Sequence, residues 1–150
     1  ISGMHEEIVA VTPEVEDDEN EAIEVVTPAT YYLKNGKHYI VYEEVVEGTS
    51  GVIKNRIKIN GDECVEIVKS GLSNSHMIFE KNKKNQTFYK TPYGQMLIGV
   101  NTRHLQVDFE EDKIAVQIDY ELDVNHEPMA DCKIRMNIVS KDSGKFSVLS

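Results

Sequence analysis

Apolar and polar residues alternate along most of this chain with a period of two. The alternation is cleanest between Lys113 and Val124. Ile114, Val116, Ile118, Tyr120, Leu122 and Val124 fall on one face, and Lys113, Ala115, Gln117, Asp119, Glu121 and Asp123 on the other. A helix would scatter both sets around its circumference, whereas a strand separates them. Ile134, Met136 and Ile138 repeat the pattern, as do Leu105, Val107 and Phe109.

Turn signals punctuate these runs at short spacing. They are Asn35-Gly36, Gly48 to Gly51, Asn60-Gly61, Lys81 to Asn85, Pro92-Tyr93-Gly94, Glu111-Asp112 and Asn125 to Pro128. Asn-Gly between apolar or aromatic residues is a strong hairpin signal. The pattern predicts about ten strands, roughly over 4–12, 21–33, 37–47, 52–59, 63–70, 75–81, 86–91, 95–109, 113–124 and 130–139. With no helical period, this is an all-β chain. Its expected architecture is a closed, antiparallel, up-and-down β-barrel of about 8–10 strands.

Turn parity carries the reading further. A hairpin centred on Thr49-Ser50 sets Val46 against Ile53, Glu44 against Asn55, Tyr42 against Ile57 and Ile40 against Ile59. The apolar members define the core side. Glu44 and Asn55 then face each other inside, while Glu43 faces Arg56 outside together with Lys54 and Lys58. A buried carboxylate must be paired, hydrated or protonated, or lie at the barrel rim. Asn55 and inward tyrosines such as Tyr42 and Tyr120 are its candidate donors. At Asn60-Gly61 a two-residue loop would mix faces. An odd-length, bulged turn with Gly61 at positive φ is therefore expected.

Charge changes the picture in two places. Net charge is −10, with a pI near 4.9. Lys81, Lys83 and Lys84 form the only dense basic run and read as a hairpin tip, so nucleic acid and anionic membranes are poor partners. Glu14 to Glu21 is rich in acids and poor in apolar residues, and reads as a mobile loop. It lacks the Gly-centred alternation of a calcium loop.

The rest is bland. The 150 residues fit one domain, 1–150. Met4 is a candidate natural start, with Ile1 to Gly3 an added remnant, or the chain is trimmed. No stretch has the roughly 20 apolar residues of a membrane helix, and the first residues do not form a signal peptide. Cys64 and Cys132 read as buried free thiols of a reducing, cytoplasmic compartment. No Cys-x-x-Cys supports a metal, and no cofactor is expected.

Tyr42-Glu43-Glu44, Tyr89-Lys90-Thr91-Pro92-Tyr93-Gly94 and Tyr120-Glu121-Leu122, in this order and spacing, resemble the YwiB-like bacterial family. The resemblance runs from about Thr30 to Val139. It implies a calycin-like (lipocalin-like) β-barrel and brings no catalytic residues. One departure is Lys69-Ser70-Gly71, where the family leads one to expect Arg before the small-Gly step. Lys is not a faithful replacement for a bidentate Arg.

The candidate ligand-binding residues are Tyr42, Glu44, Asn55, Tyr89, Tyr93 and Tyr120. For the four tyrosines the simpler and favoured reading is aromatic barrel filling with hydroxyls at the rim, while Glu44 with Asn55 is as readily a buried structural network. Glu43 and Glu44 point to opposite faces and cannot share a site. No catalytic constellation follows from the spacing of the five histidines. Three functions remain in order: a non-enzymatic barrel holding a small, partly apolar molecule, a filled interaction module, and an enzyme centred on Glu44. The chain is expected to be a monomer or, through an open edge, a homodimer.

Overall fold

The computed structural model describes residues 7–16, 27–45, 48, 50–71, 74–91 and 93–140. Every regular element among them is a strand: β1 (Glu7–Glu16), β2 (Thr27–Lys34), β3 (Lys37–Val45), β4 (Val52–Asn60), β5 (Cys64–Gly71), β6 (Ser75–Glu80), β7 (Lys84–Thr91), β8 (Gly94–Phe109), β9 (Lys113–Val124) and β10 (Glu127–Ser140). They form one antiparallel sheet in the order β6-β5-β4-β3-β2-β1-β10-β9-β8-β7. Two meanders, β2 to β6 and β7 to β10, are thus sewn together by β1, which pairs with β2 on one side and β10 on the other.

The sheet curls until β6 lies beside β7 and β8. The architecture is the all-β, up-and-down barrel read from the alternation, and it fits the calycin-like form that the resemblance implies. Its closure differs from expectation, because no hydrogen-bonded ladder joins β6 to β7. The chain turns tightly between them, with Lys83 N donating to Glu80 O at 3.0 Å. Beyond the turn β7 is committed to β8, and Thr102 N donates to Lys83 O at 3.0 Å. The two edges run on with a seam between them, lined by Met77, Phe88 and Tyr89.

Inward positions alternate as the sequence dictates. Tyr31, Ile40, Ile57, Ile59, Val65 and Phe79 fill one half of the interior. Leu105, Ile114, Val116, Ile118, Met136 and Ile138 fill the other. Each fully buried isoleucine contributes about 1.5–3 kcal/mol of transfer free energy. Along β8 the inward set switches from Ile98, Val100 and Thr102 to Leu105 and Val107. The ladder with β9 shifts by one residue between Thr102 and His104, so Arg103 is the extra residue of a bulge.

The turns follow their chemistry. Asn35-Gly36 joins Lys34 to Lys37 with φ of 53° and 76°. Asn125-His126 joins Val124 to Glu127 with φ of 50° and 71°. Both are two-residue connections with two positive φ values, which match the twist of the flanking strands. Between β4 and β5 the loop is the odd-length Gly61-Asp62-Glu63, and Gly61 has φ 58°. The ladder enters it without a register shift, so the extra residue belongs to the turn and not to a bulge.

Two further expectations are corrected. Glu14, Val15 and Glu16 are not loop but the end of β1, in register with Arg135, Ile134 and Lys133 of β10. Residues 17–21 lie outside the described residues. Cys64 and Cys132 are free, as expected, but only half-buried. Cys64 shares the outward parity of Glu66, next to inward Val65.

Asp123 is the exception to the outward polar face of β9. It is only 5% exposed and stands opposite Gly99 of β8. Its carboxylate lies where a Gly99 side chain would be, and Lys84 Nζ closes on Oδ2 at 2.6 Å.

Candidate functional site

The register of the β3–β4 hairpin decides what the interior polar residues can do. Glu44 pairs with Ile53 and Tyr42 with Asn55. The expected pairing of Glu44 with Asn55 is displaced by two residues, and Glu43 faces Lys54 and not Arg56. Val46 lies outside the described residues. The strands part at Val45 and Val52, so the connection is longer than a tight turn and its centre sits one position earlier. A shift of two preserves parity, and the inward set is therefore unchanged.

Asn55 is wholly buried at 0% exposure, and its Nδ2 donates to Glu44 Oε1 at 2.6 Å along the diagonal. This bond fixes the amide orientation, since only the nitrogen can donate to a carboxylate. Asn55 Oδ1 is left buried with no hydrogen-bond partner. Lys69, the residue opposite Asn55 on β5, reaches the same Glu44 oxygen at 3.2 Å. Lys69 is where the resemblance leads one to expect Arg, and it makes one contact with the carboxylate in place of a fork. Burial, then the Glu44 charge, pushes the Tyr42 hydroxyl up to about 12.

A hollow of about 830 Å³ opens beside this cluster. Met77, Phe88, Met96, Ile98, Tyr120 and Leu122 give it an apolar wall, and Lys69, Ser70 and His76 give it a polar end. It occupies the seam between β5–β6 and β7–β8–β9. Such a volume is in the range of small-molecule sites. Tyr120 packs edge-on against Phe79, with ring centroids 4.9 Å apart. Burial, then the neighbouring Cys132 thiol with its hydrogen bond, raises the Tyr120 hydroxyl above its ordinary value.

The six predicted residues therefore divide into three sets. Tyr89 and Tyr120 line the hollow. Tyr42, Glu44 and Asn55 form a polar cluster that meets the hollow through Lys69. Tyr93 is 98% exposed in the turn between β7 and β8 and is no part of the site. Two places beyond the end of β7 at Thr91, it has left the ladder, so alternation no longer orients it.

Lys69 and His76 were missed. Lys69 follows from the ladder once Ile57 is set against Ile67. His76 Nε2 lies 2.6 Å from Glu66 Oε1, a His–Glu contact that only the β5–β6 register creates. It is solvent-exposed, and Lys58 Nζ approaches the same Glu66 carboxylate at 3.7 Å.

The family model for a domain of unknown function, DUF1934, matches residues 8–136. The chain belongs to the DUF1934 family. Over 114 residues it is 32% identical to the uncharacterized β-barrel protein YwiB of Bacillus subtilis (strain 168), covering 75% of this chain and 78% of that one. The crystal structure of the ywiB protein from Bacillus subtilis superposes with a TM-score of 0.73 at 23% identity. That superposition covers 93% of this chain and 96% of the other. The family fold is thus a β-barrel, as the three Tyr-containing motifs implied. Among the described residues no helix is long and apolar enough to cross a membrane, and no three His, Cys, Asp or Glu side chains gather as a metal site.

Proposed function

We propose that this barrel binds a small, partly apolar molecule in the hollow at the β6–β7 seam, without catalysis. The observation that carries the reading is the hollow itself. About 830 Å³ stands behind two sheet edges that no ladder joins, with an apolar wall and Lys69 at one end. The apolar part of the ligand lies against Met77, Met96, Ile98 and Leu122. Its polar end meets Lys69, whose ammonium also pairs with the Glu44 carboxylate. Entry is from the side, through the seam. The half-buried free thiols fit a reducing, cytoplasmic setting, and the unpaired edges admit either a monomer or an edge-to-edge dimer.

The barrel core is packed with side chains, so the ligand reading rests on the seam hollow and not on an empty interior. An enzyme built on Glu44 would need a carboxylate free to move a proton. Glu44 Oε1 already accepts from Asn55 and Lys69, and Glu43 faces away.

Native mass spectrometry of protein purified from its own source tests the proposal. The expected result is a retained small molecule that is absent from Met96→Trp, whose larger ring intrudes on the apolar wall. Fluorescence titration with anilinonaphthalene sulfonate provides a second reading, with binding to the native chain and none to the variant. A chain without retained mass that binds the dye no better than Met96→Trp overturns it.

A further inference from the structure

The outer surface of β2 to β5 carries a second hollow. Thr30, Tyr32, Val41, Lys54, Arg56, Val68 and Ser70 line about 550 Å³. A smaller extension of about 170 Å³ continues past Tyr32 and Arg56 to Lys34, Tyr39 and Lys58. Val68 and Ser70, near the end of β5, also border the seam hollow.

Alternation concentrates charge here. Lys54, Arg56 and Lys58 are successive outward residues of β4, about 7 Å apart. Cross-strand acids would normally balance such a row. Glu66 does so for Lys58, at 3.7 Å. Glu43 stands in register with Lys54 without an ion pair among the described residues. Arg56 has no acid at all in its row, where its neighbours are Val41 and Val68. In a chain of net charge −10, the wall of the larger hollow holds two cations and no carboxylate.

The remaining chemistry narrows the ligand. Thr30, Tyr32 and Ser70 bring hydroxyls, and Val41 and Val68 bring an apolar floor. Tyr32 and Tyr39 stack face to face, with centroids 4.9 Å apart and planes 5° apart, and so stiffen one side. The volume suits one ring and one anionic group and not a polymer. An arginine flanked by lysines and hydroxyls matches the oxygens of a phosphate better than a single carboxylate. We infer that this outer hollow binds a small organic phosphate, with Arg56 and Lys54 on the phosphate and the organic group on the Tyr32–Val41–Val68 floor.

The test is an NMR titration of the full chain at low salt with phenyl phosphate, with phenol and inorganic phosphate run alongside. Saturable binding of phenyl phosphate is expected, with shifts at Thr30, Tyr32, Arg56 and Val68 and weaker binding of both fragments. Arg56→Met, an exposed change that leaves the circular dichroism intact, weakens it by at least about tenfold. Lys133→Met, on β10 and away from this hollow, leaves it unchanged. Shifts confined to Met77, Met96 and Tyr120 assign the phosphate to the seam hollow and overturn the inference. So does an affinity that Arg56→Met does not alter, or the absence of saturable binding.

Discussion

The carboxylate of Asp123 lies over the α-carbon of Gly99, the residue opposite it on β8, and is held there by Lys84 at 2.6 Å. Any side chain at position 99 overlaps that carboxylate. Gly99→Ala is expected to displace Asp123 from Lys84 and lower stability by about 2–4 kcal/mol, since a buried charge loses its partner. Gly99→Ala combined with Asp123→Ala should recover most of the loss, because the clash and the charge go together. Urea denaturation of the two single variants and the double variant measures the coupling. Additive losses would show that the two residues act separately.

His38 predicts a pH dependence. It is buried against Phe109, with ring centroids 4.8 Å apart, and shares a 2.7 Å hydrogen bond with the Tyr31 hydroxyl through Nδ1. Burial lowers its pKa below the ordinary 6.5. The unfolded chain then takes up a proton at a pH where the native chain does not. The stability His38 confers is full above about pH 6.5 and falls as the pH drops towards the folded value. The urea midpoint should decline between pH 7.5 and 5, and His38→Gln should flatten that part of the curve.

The Asn55–Glu44 hydrogen bond offers a sharper variant. Asn55→Asp places a buried carboxylate against the half-exposed carboxylate of Glu44, 2.6 Å apart by the native geometry. Stability at pH 7 should fall by about 1–3 kcal/mol. The pair's folded pKa is raised, so stability lost at neutral pH returns as the pH falls through that value. Below about pH 5 the variant should approach the native chain. A deficit that stays constant with pH would mean packing, not charge, is responsible.

The seam predicts where the backbone is least protected. β6 pairs only with β5, and β7 only with β8, so half of their amides have no ladder partner. Hydrogen exchange should be fastest at those edge amides. It should be slowest in β9, which has ladders on both sides and buries Ile114, Val116 and Ile118. Uniform protection across β6 and β7 would point to a closed barrel in solution.

How much of this was legible in the sequence depends on the range of the physics. Alternation is local, and it placed ten strands and nearly all inward residues. It also foretold the odd loop at Gly61. Register is not local. It depends on which pair closes the connection, here Val45 with Val52, and no periodic signal reports that choice. The error of two residues therefore kept Glu44 and Asn55 inward while misplacing their partners. Asp123 sat on the polar face by parity, but its burial depends on a glycine 24 positions away. The Arg103 bulge left a trace, since inward residues change from even to odd numbers along β8. Lys69 and His76 needed ladders between strands, which come only with the fold.

The placement of β1 has a consequence for how the chain assembles. Every other ladder joins strands that are neighbours in sequence, while β1 to β10 ties Val9 to Ser140. Closing that span costs the most chain entropy and yields nothing until both meanders exist. The hairpins can form from the middle of the chain outwards, with β1 arriving last as the clasp. Substitutions at the β1–β10 junction should then speed unfolding while leaving the folding rate nearly untouched.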